Sequence, residues 1–200
     1  MKKTLTILLV LVSLVALEAR QNYLDYNFKH NYSLFLNFNG YQPDDIMTAA
    51  GSSMRGTLVC GGFGWYPSKD CLLDLSYGTY SETKDSHKGE VNPLLIEATW
   101  FHNLADNWQF LYGIGTGSFN VHYQPVASGT IYSDSVWGFS TRLGFAYLVS
   151  ESFNISLEGK YLTADVNDLI PSTAAVAPCG SRDISVSDWT YGIGLNFTWK

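Results

Sequence analysis

The segment DWTYGIGLNFTWK, residues 188–200, alternates strictly between two kinds of side chain. One parity is apolar or aromatic, from Trp189 to Trp199, and the other is polar or very small, from Asp188 to Thr198. A β-strand points successive side chains to opposite faces, whereas a helix would scatter these residues around its circumference. The period of two therefore predicts a strand with one apolar face and one polar face.

Seven further segments repeat this alternation, at residues 32–39, 59–65, 73–78, 94–101, 110–117, 137–147 and 153–161. In the segment at 94–101, Leu95 and Phe101 place large apolar groups on the polar parity. Together with the C-terminal segment these make eight strands of roughly ten residues, the length that a tilted strand needs to cross a bilayer.

The connections between the predicted strands alternate in length. Short connections lie at 67–70, 103–107 and 149–152, and long ones at 41–54, 81–92, 118–134 and 163–183. Outer-membrane barrels have short turns on the periplasmic side and long loops on the extracellular side. The sequence therefore predicts an all-β fold, an eight-stranded antiparallel up-and-down transmembrane β-barrel.

Aromatic residues collect at the ends of the predicted strands. They lie beside the short turns and the C-terminus at Trp65, Trp100, Trp108, Tyr147, Phe153 and Trp199, and beside the long loops at Trp137, Tyr161 and Trp189. Two such girdles mark the interfaces of a membrane barrel, which would place the aromatic face in lipid and the small residues inside. The alternative is a soluble β-protein with the aromatic face in its core, a class that gives no reason for sorting loops by length.

The N-terminus has the layout of a secretory signal peptide. Lys2 and Lys3 precede an apolar stretch at 5–17, and Ala19 offers a cleavage point. The apolar stretch is shorter than the roughly 20 residues of a spanning helix, although an uncleaved anchor is the alternative. We expect residues 1–19 to be the signal peptide, 20–200 to be the barrel domain, and the cell outer membrane to be the location.

The composition excludes some classes of function. Residues 20–200 contain 10 basic and 17 acidic residues, a formal charge of −7, and no basic stripe that would bind nucleic acid. Cys60, Cys71 and Cys179 show no metal-ligand spacing, and we expect small cysteines that are mostly unbridged and have no redox role. No cofactor or metal is expected.

The strands WTYGIGLNFTWK and YGIGTG, with the alternating loops, resemble small outer-membrane barrels of the OmpA/OmpX type, a porin-family-type β-barrel domain. The resemblance covers nearly the whole predicted mature chain and implies contact with outer-membrane lipid and lipopolysaccharide. It also implies that the barrel-insertion machinery reads the last strand, which in that family ends on an aromatic residue. Here Trp199 is penultimate and Lys200 is last.

Six charged residues fall on the predicted inner parity: Asp74, Glu97, Arg142, Glu158, Lys160 and Asp188. Buried charges must be paired, and an eight-stranded barrel has an interior that side chains fill. We therefore expect a structural ion-pair network in the lumen, with Arg142 and either Glu97 or Glu158 as its central pair. The alternative is a proton path or a narrow ion-selective pore.

No catalytic residue is assigned. We expect a non-enzymatic barrel that serves envelope integrity or surface interaction through four long extracellular loops, with an extracellular ligand that the sequence does not identify. The charged residues of these loops are mostly acidic, and the stretch IPSTAAVAPCG at 170–180 is apolar. The alternatives are a narrow pore and a lipid A-modifying enzyme resembling the PagP or PagL families, for which His122, Ser118 or Ser128, and Asp134 are the candidates.

Overall fold

The computed structural model describes residues 32–43, 54–84, 87–124, 130–167, 169 and 184–199. The predicted signal peptide at 1–19 lies outside these residues and stays a prediction. The strands are β1 (Tyr32–Tyr41), β2 (Gly56–Ser68), β3 (Cys71–Lys84), β4 (His87–Ala105), β5 (Trp108–Gln124), β6 (Tyr132–Ser150), β7 (Phe153–Thr163), β8 (Asp165–Val166), β9 (Ile184–Ser185) and β10 (Asp188–Trp199). In the part of the chain that the structure describes, no helix is long and apolar enough to span a membrane.

Eight of the strands close into one antiparallel barrel. The order around the ring is β1-β10-β7-β6-β5-β4-β3-β2, so every strand pairs with its neighbours in sequence and β10 closes against β1. The short β8 and β9 pair with each other outside the ring. The predicted eight-stranded up-and-down barrel is confirmed, and each predicted short connection is a tight turn, at residues 69–70, 106–107 and 151–152.

The strands are staggered around the ring. The row of paired residues that starts at Trp199 runs through Tyr32, Trp65, Leu73, Ala98, Ile114, Thr141 and Tyr161 and returns to β10 at Trp189, ten residues from its start. At about 3.4 Å per residue and a tilt near 45°, this row climbs about 24 Å. Ring closure with this stagger requires the strands to tilt relative to the barrel axis.

The outer face of the barrel is apolar and exposed. Leu157 and Tyr191, for example, are each 65% exposed in the folded barrel. Aromatic rings pack against each other near the tight turns, where the ring centroids of Phe153 and Phe197 are 4.6 Å apart and those of Trp108 and Tyr147 are 5.1 Å apart. A soluble barrel would bury this face, so its exposure supports the lipid-facing assignment.

Two predicted long loops are largely strand in the structure. β3 and β4 continue to Lys84 and from His87, and β5 and β6 continue to Gln124 and from Tyr132, so most of 81–92 and 118–134 is paired. In these extensions the polarity is reversed: Phe119, Val121 and Tyr123 point inward and are buried, while polar residues face outward. In these segments, which lie beyond the lipid band, apolar side chains fill the interior, as they do in a soluble barrel. We name this part of β3–β6 the extracellular extension.

Inside the barrel, apolar residues fill both ends. The extracellular core contains Tyr41, Met54, Leu58, Cys60, Tyr80, Val91, Leu95, Phe119, Val121, Tyr123, Leu162, Ala164, Val166, Leu169 and Val186. The periplasmic core contains Leu72, Phe101, Leu111 and Ala146, with Tyr66 packed against it. Leu95 and Phe101, which interrupted the polar parity in the sequence, therefore belong to these two cores.

Inward-facing glycines let the wall pack closely. A Cβ atom on Gly117 would overlap the backbone carbonyl oxygen of Leu94 on β4, and one on Gly192 would overlap that of Phe38 on β1. A backbone atom cannot rotate away as a side chain can. These two positions accordingly require glycine for close approach of the strands.

Substitution of an inward-facing glycine tests this packing. We expect Gly117→Ala to lower the free energy of unfolding by about 1–3 kcal/mol because the wall must shift to accept the methyl group. Gly61→Ala is the matched control, since a Cβ there faces outward and meets nothing nearer than 3.6 Å. Urea titration in lipid vesicles measures both variants, and equal losses would contradict the assignment of inner and outer faces.

Candidate functional site

Five charged side chains meet in the middle of the lumen. Asp74 on β3, Glu97 on β4, Arg142 on β6, and Glu158 and Lys160 on β7 all point inward and are at most 7% exposed. The alternation of each strand places them on the inner parity, and the stagger brings them to one level. We name this group the ionic layer.

Arg142 is the centre of the ionic layer. Its guanidinium nitrogens lie 3.1 Å from a Glu158 oxygen, 3.4 Å from Glu97 Oε2 and 3.9 Å from Asp74 Oδ2. The guanidinium also lies over the Phe35 ring, 5.9 Å from its centroid. A planar group with several donors suits this position, because it can serve carboxylates from three strands at once.

The remaining polar contacts hold the two glutamates. Lys160 Nζ lies 2.5 Å from Glu97 Oε2, and the Ser140 hydroxyl donates to Glu97 Oε1 at 2.7 Å. Glu158 accepts from the Ser156 hydroxyl. A buried ion pair is tolerated when further hydrogen bonds satisfy it, which is the situation of both glutamates here.

Asp188 lies apart from the ionic layer, although the sequence grouped it there. It is half-buried at the start of β10, and none of the ion pairs formed by the described residues includes it. Asp188 has the predicted inward parity, but it lies at a different height from the ionic layer. Thr190 pairs with Lys160, and Asp188 is one inward position further toward the extracellular end. Sequence alternation gives the face of a residue but not its height in a tilted barrel.

The ionic layer lies between the extracellular and periplasmic cores, so apolar side chains cover it on both sides. On the periplasmic side a cavity of about 20 Å³ reaches Arg142, Glu158 and Asn196. A cavity of that size holds about one water molecule and is not an open channel. The side chains that pack on both sides of the ionic layer thus leave room at this cavity for about one water molecule.

The structure does not bring together those candidate catalytic residues from the sequence that it describes. His122 faces outward on β5 and pairs with Glu90 at 3.2 Å, whereas Asp134 lies opposite the inward-facing Val121 and so belongs to the other face of the sheet. Ser118 is four residues along the strand from His122, about 13 Å away by the strand repeat. Ser128 lies outside the described residues.

Other reactive side chains are also dispersed. Cys60 lies opposite Gly78 and Cys71 opposite Ser68, so no bridge joins these two cysteines, and Cys179 is outside the described residues. His87 contacts the Tyr123 hydroxyl at 2.9 Å, while His102 contacts Tyr112 at 3.3 Å at the opposite end of the barrel. Across the described ranges, no cluster of His, Cys, Asp and Glu could hold a metal ion.

Removal of the central cation tests the ionic layer. We expect Arg142→Leu to lower the free energy of unfolding by about 3–5 kcal/mol, because it leaves buried carboxylates without compensation. Arg55→Leu is the control, since Arg55 is exposed at the extracellular end and the same change there has little effect. Unfolding midpoints in detergent or vesicles measure both, and a fully stable Arg142→Leu barrel would refute the structural role.

Comparison with known proteins places the fold. No protein-family model and no curated protein matches the sequence. Among solved structures, Neisserial surface protein A is similar at a TM-score of 0.63 and 11% identity, with 84% of this chain and 97% of that chain covered. The outer membrane protein OprG of Pseudomonas aeruginosa matches at a TM-score of 0.59, 16% identity and the same coverages of 84% and 97%.

A third similar structure is Ail, the attachment invasion locus protein of Yersinia pestis, in complex with the heparin analogue sucrose octasulfate. Its TM-score is 0.51 at 11% identity, and the match covers 85% of this chain and all of that chain (100%). Identities this low show the fold alone. With the closed ring and the exposed apolar band, they establish that the chain has the fold of the small eight-stranded outer-membrane β-barrels, as OmpA/OmpX-like proteins do.

Proposed function

We propose that this chain is a non-catalytic, non-conducting outer-membrane barrel that strengthens the envelope through contact of its extracellular end with lipopolysaccharide. The observation that carries the proposal is the filled lumen. A barrel whose interior is occupied by an ionic layer between two apolar cores has its free surface only outside the wall and at its ends.

The filled lumen argues against a pore. A permeating ion would have to pass the buried side chains Phe101 and Leu111, separate the Arg142 contacts and then cross the extracellular core. Each stage removes hydration from the ion without supplying a row of ligands in return. Transport would therefore require a rearrangement of the packed interior.

A lipid A-modifying enzyme is the alternative from another class. It needs a nucleophile or general base with an orienting partner near the extracellular leaflet. The separation of His122, Ser118 and Asp134 argues against that assembly. If the chain were such an enzyme, lipid A from cells that produce it would differ in mass by an acyl chain from lipid A of cells that do not.

The extracellular extension is the part of the barrel that supports a surface role. It continues β3–β6 beyond the lipid band on a packed apolar core, so it presents the adjoining loops on a rigid base. The described charged residues at this end of the barrel are the acidic Glu82, Glu90, Asp134, Asp165 and Asp188 and the basic Arg55, Lys84 and Lys88. Further charged residues of the loops, which are the acids at positions 44, 45, 85, 168 and 183 and the basic Arg182, lie outside the described residues.

This charge balance favours one kind of contact. Carboxylates can share divalent cations with the phosphates of lipopolysaccharide, because both are hard oxygen ligands. The described charges at this end include no excess of cations that would hold a sulfated sugar, the ligand class in the Ail complex. Divalent-cation bridges to lipopolysaccharide are accordingly the proposed contact. The C-terminal strand β10 is the proposed signal for barrel insertion.

Binding to the folded barrel should raise its stability. We expect the unfolding temperature in vesicles to rise when lipopolysaccharide and Mg²⁺ are both present, relative to phospholipid vesicles with Mg²⁺, because only the folded state offers the surface. The combined variant Glu82→Gln, Asp134→Asn and Asp165→Asn should lose most of this increase.

The control has the same charge change at the opposite end of the barrel. Asp70→Asn, Asp106→Asn and Glu151→Gln lie in the three tight turns, and this variant should keep the full increase. The proposal fails if wild-type protein gains no stability from lipopolysaccharide, or if the two triple variants lose the gain equally.

A further inference from the structure

The ionic layer contains an unequal number of charges. Its three carboxyl groups, Asp74, Glu97 and Glu158, face only two cations, Arg142 and Lys160, in the described lumen. If all five were ionised, one net negative charge would be enclosed between two apolar cores in the middle of the bilayer. A low-dielectric interior does not tolerate an uncompensated charge, and the usual response is a change of protonation.

The contacts show which carboxyl group lacks compensation. Glu97 has Lys160 at 2.5 Å, Ser140 at 2.7 Å and Arg142 at 3.4 Å, and Glu158 has Arg142 at 3.1 Å and the Ser156 hydroxyl. Asp74 has only Arg142, at 3.9 Å, which is beyond hydrogen-bond reach. Neither oxygen of Asp74 has a hydrogen-bond partner in the described chain, although the residue is only 2% exposed.

We propose that Asp74 is a proton-binding site, a neutral carboxylic acid in the folded barrel at neutral pH. Protonation brings the ionic layer to zero net charge, because Arg142 and Lys160 then balance Glu97 and Glu158. The groups that surround Asp74 are Tyr66 on β2 and Glu97 on β4, the two strands beside β3, and Arg142 on β6 with Glu158 and Lys160 on β7 from across the lumen. Arg142 lies closer to both glutamates than to Asp74, so it offsets a charge on Asp74 less than it offsets theirs.

The proposal has a direct consequence for stability. The folded state would hold a proton that the unfolded chain releases at neutral pH, so it binds more protons than the unfolded state. Stability must then fall as the pH rises from the range in which the unfolded chain releases this proton to the range in which the folded barrel releases it. The opposite dependence would apply to a carboxylate that is held ionised by a salt bridge.

Infrared spectroscopy of the full barrel in vesicles at neutral pH tests the protonation state. A buried carboxylic acid has a carbonyl band separate from those of carboxylates, and we expect this band in wild-type protein and its loss in Asp74→Asn. A wild-type spectrum without the band overturns the proposal, whether Asp74 is then ionised alone or paired with a metal cation. The wild-type spectrum therefore tests the proposal even if a variant fails to fold.

Unfolding equilibria provide the second measurement. We expect Asp74→Asn to change the unfolding equilibrium constant by less than about tenfold and to abolish the fall in stability between those two pH ranges, because a neutral acid is replaced by a neutral amide. Glu97→Gln is the matched control and should shift the constant by more than about a hundredfold, since it leaves Lys160 without its anion. Equal losses in the two variants would show that Asp74 is ionised.

Discussion

The structure depends on one constraint, which is that no backbone polar group can remain unpaired in lipid. Eight antiparallel strands meet it by closing β10 against β1. Closure with so few strands leaves an interior only wide enough for side chains, and it forces glycine where the wall is crowded, as at Gly117 and Gly192. Most large aromatic residues of the lipid-facing segments are therefore outside, where lipid accepts them. Narrowness of the ring thus explains both the small inner face and the apolar outer face.

The same narrowness determines what the lumen can contain. The middle of the barrel is filled by five charged side chains gathered around Arg142, and both ends are filled by apolar cores. Charged groups are tolerated there only as a compensated set, because water is too scarce to solvate them. The extracellular core continues above the lipid, where the strands change to the polarity of a soluble barrel. Membrane span, closed lumen and rigid extracellular extension are consequences of one continuous sheet.

Much of this could be predicted from sequence, because alternation and loop length are local signals. Strict parity in 188–200 and the three short connections were enough for the barrel, and parity also placed Arg142 inside with Glu97 and Glu158. Height was not predictable, since it depends on a stagger that accumulates around the whole ring, and Asp188 was grouped with residues that lie below it. The extension was missed at 118–124 because its alternation has the opposite polarity there. The alternation was present in the sequence, but the expectation that apolar residues face lipid does not apply to strand segments beyond the membrane.

The closed lumen is the central claim, and Cys60 tests it most directly. Its thiol belongs to the extracellular core and is 4% exposed. In a Cys71→Ser, Cys179→Ser background, folded barrel in vesicles is treated with a charged, water-soluble thiol reagent and its mass is measured. The account predicts no modification until the barrel is unfolded, after which modification is complete. Rapid modification of the folded protein would mean that water and ions reach the lumen, and it would contradict the sealed interior on which the account depends.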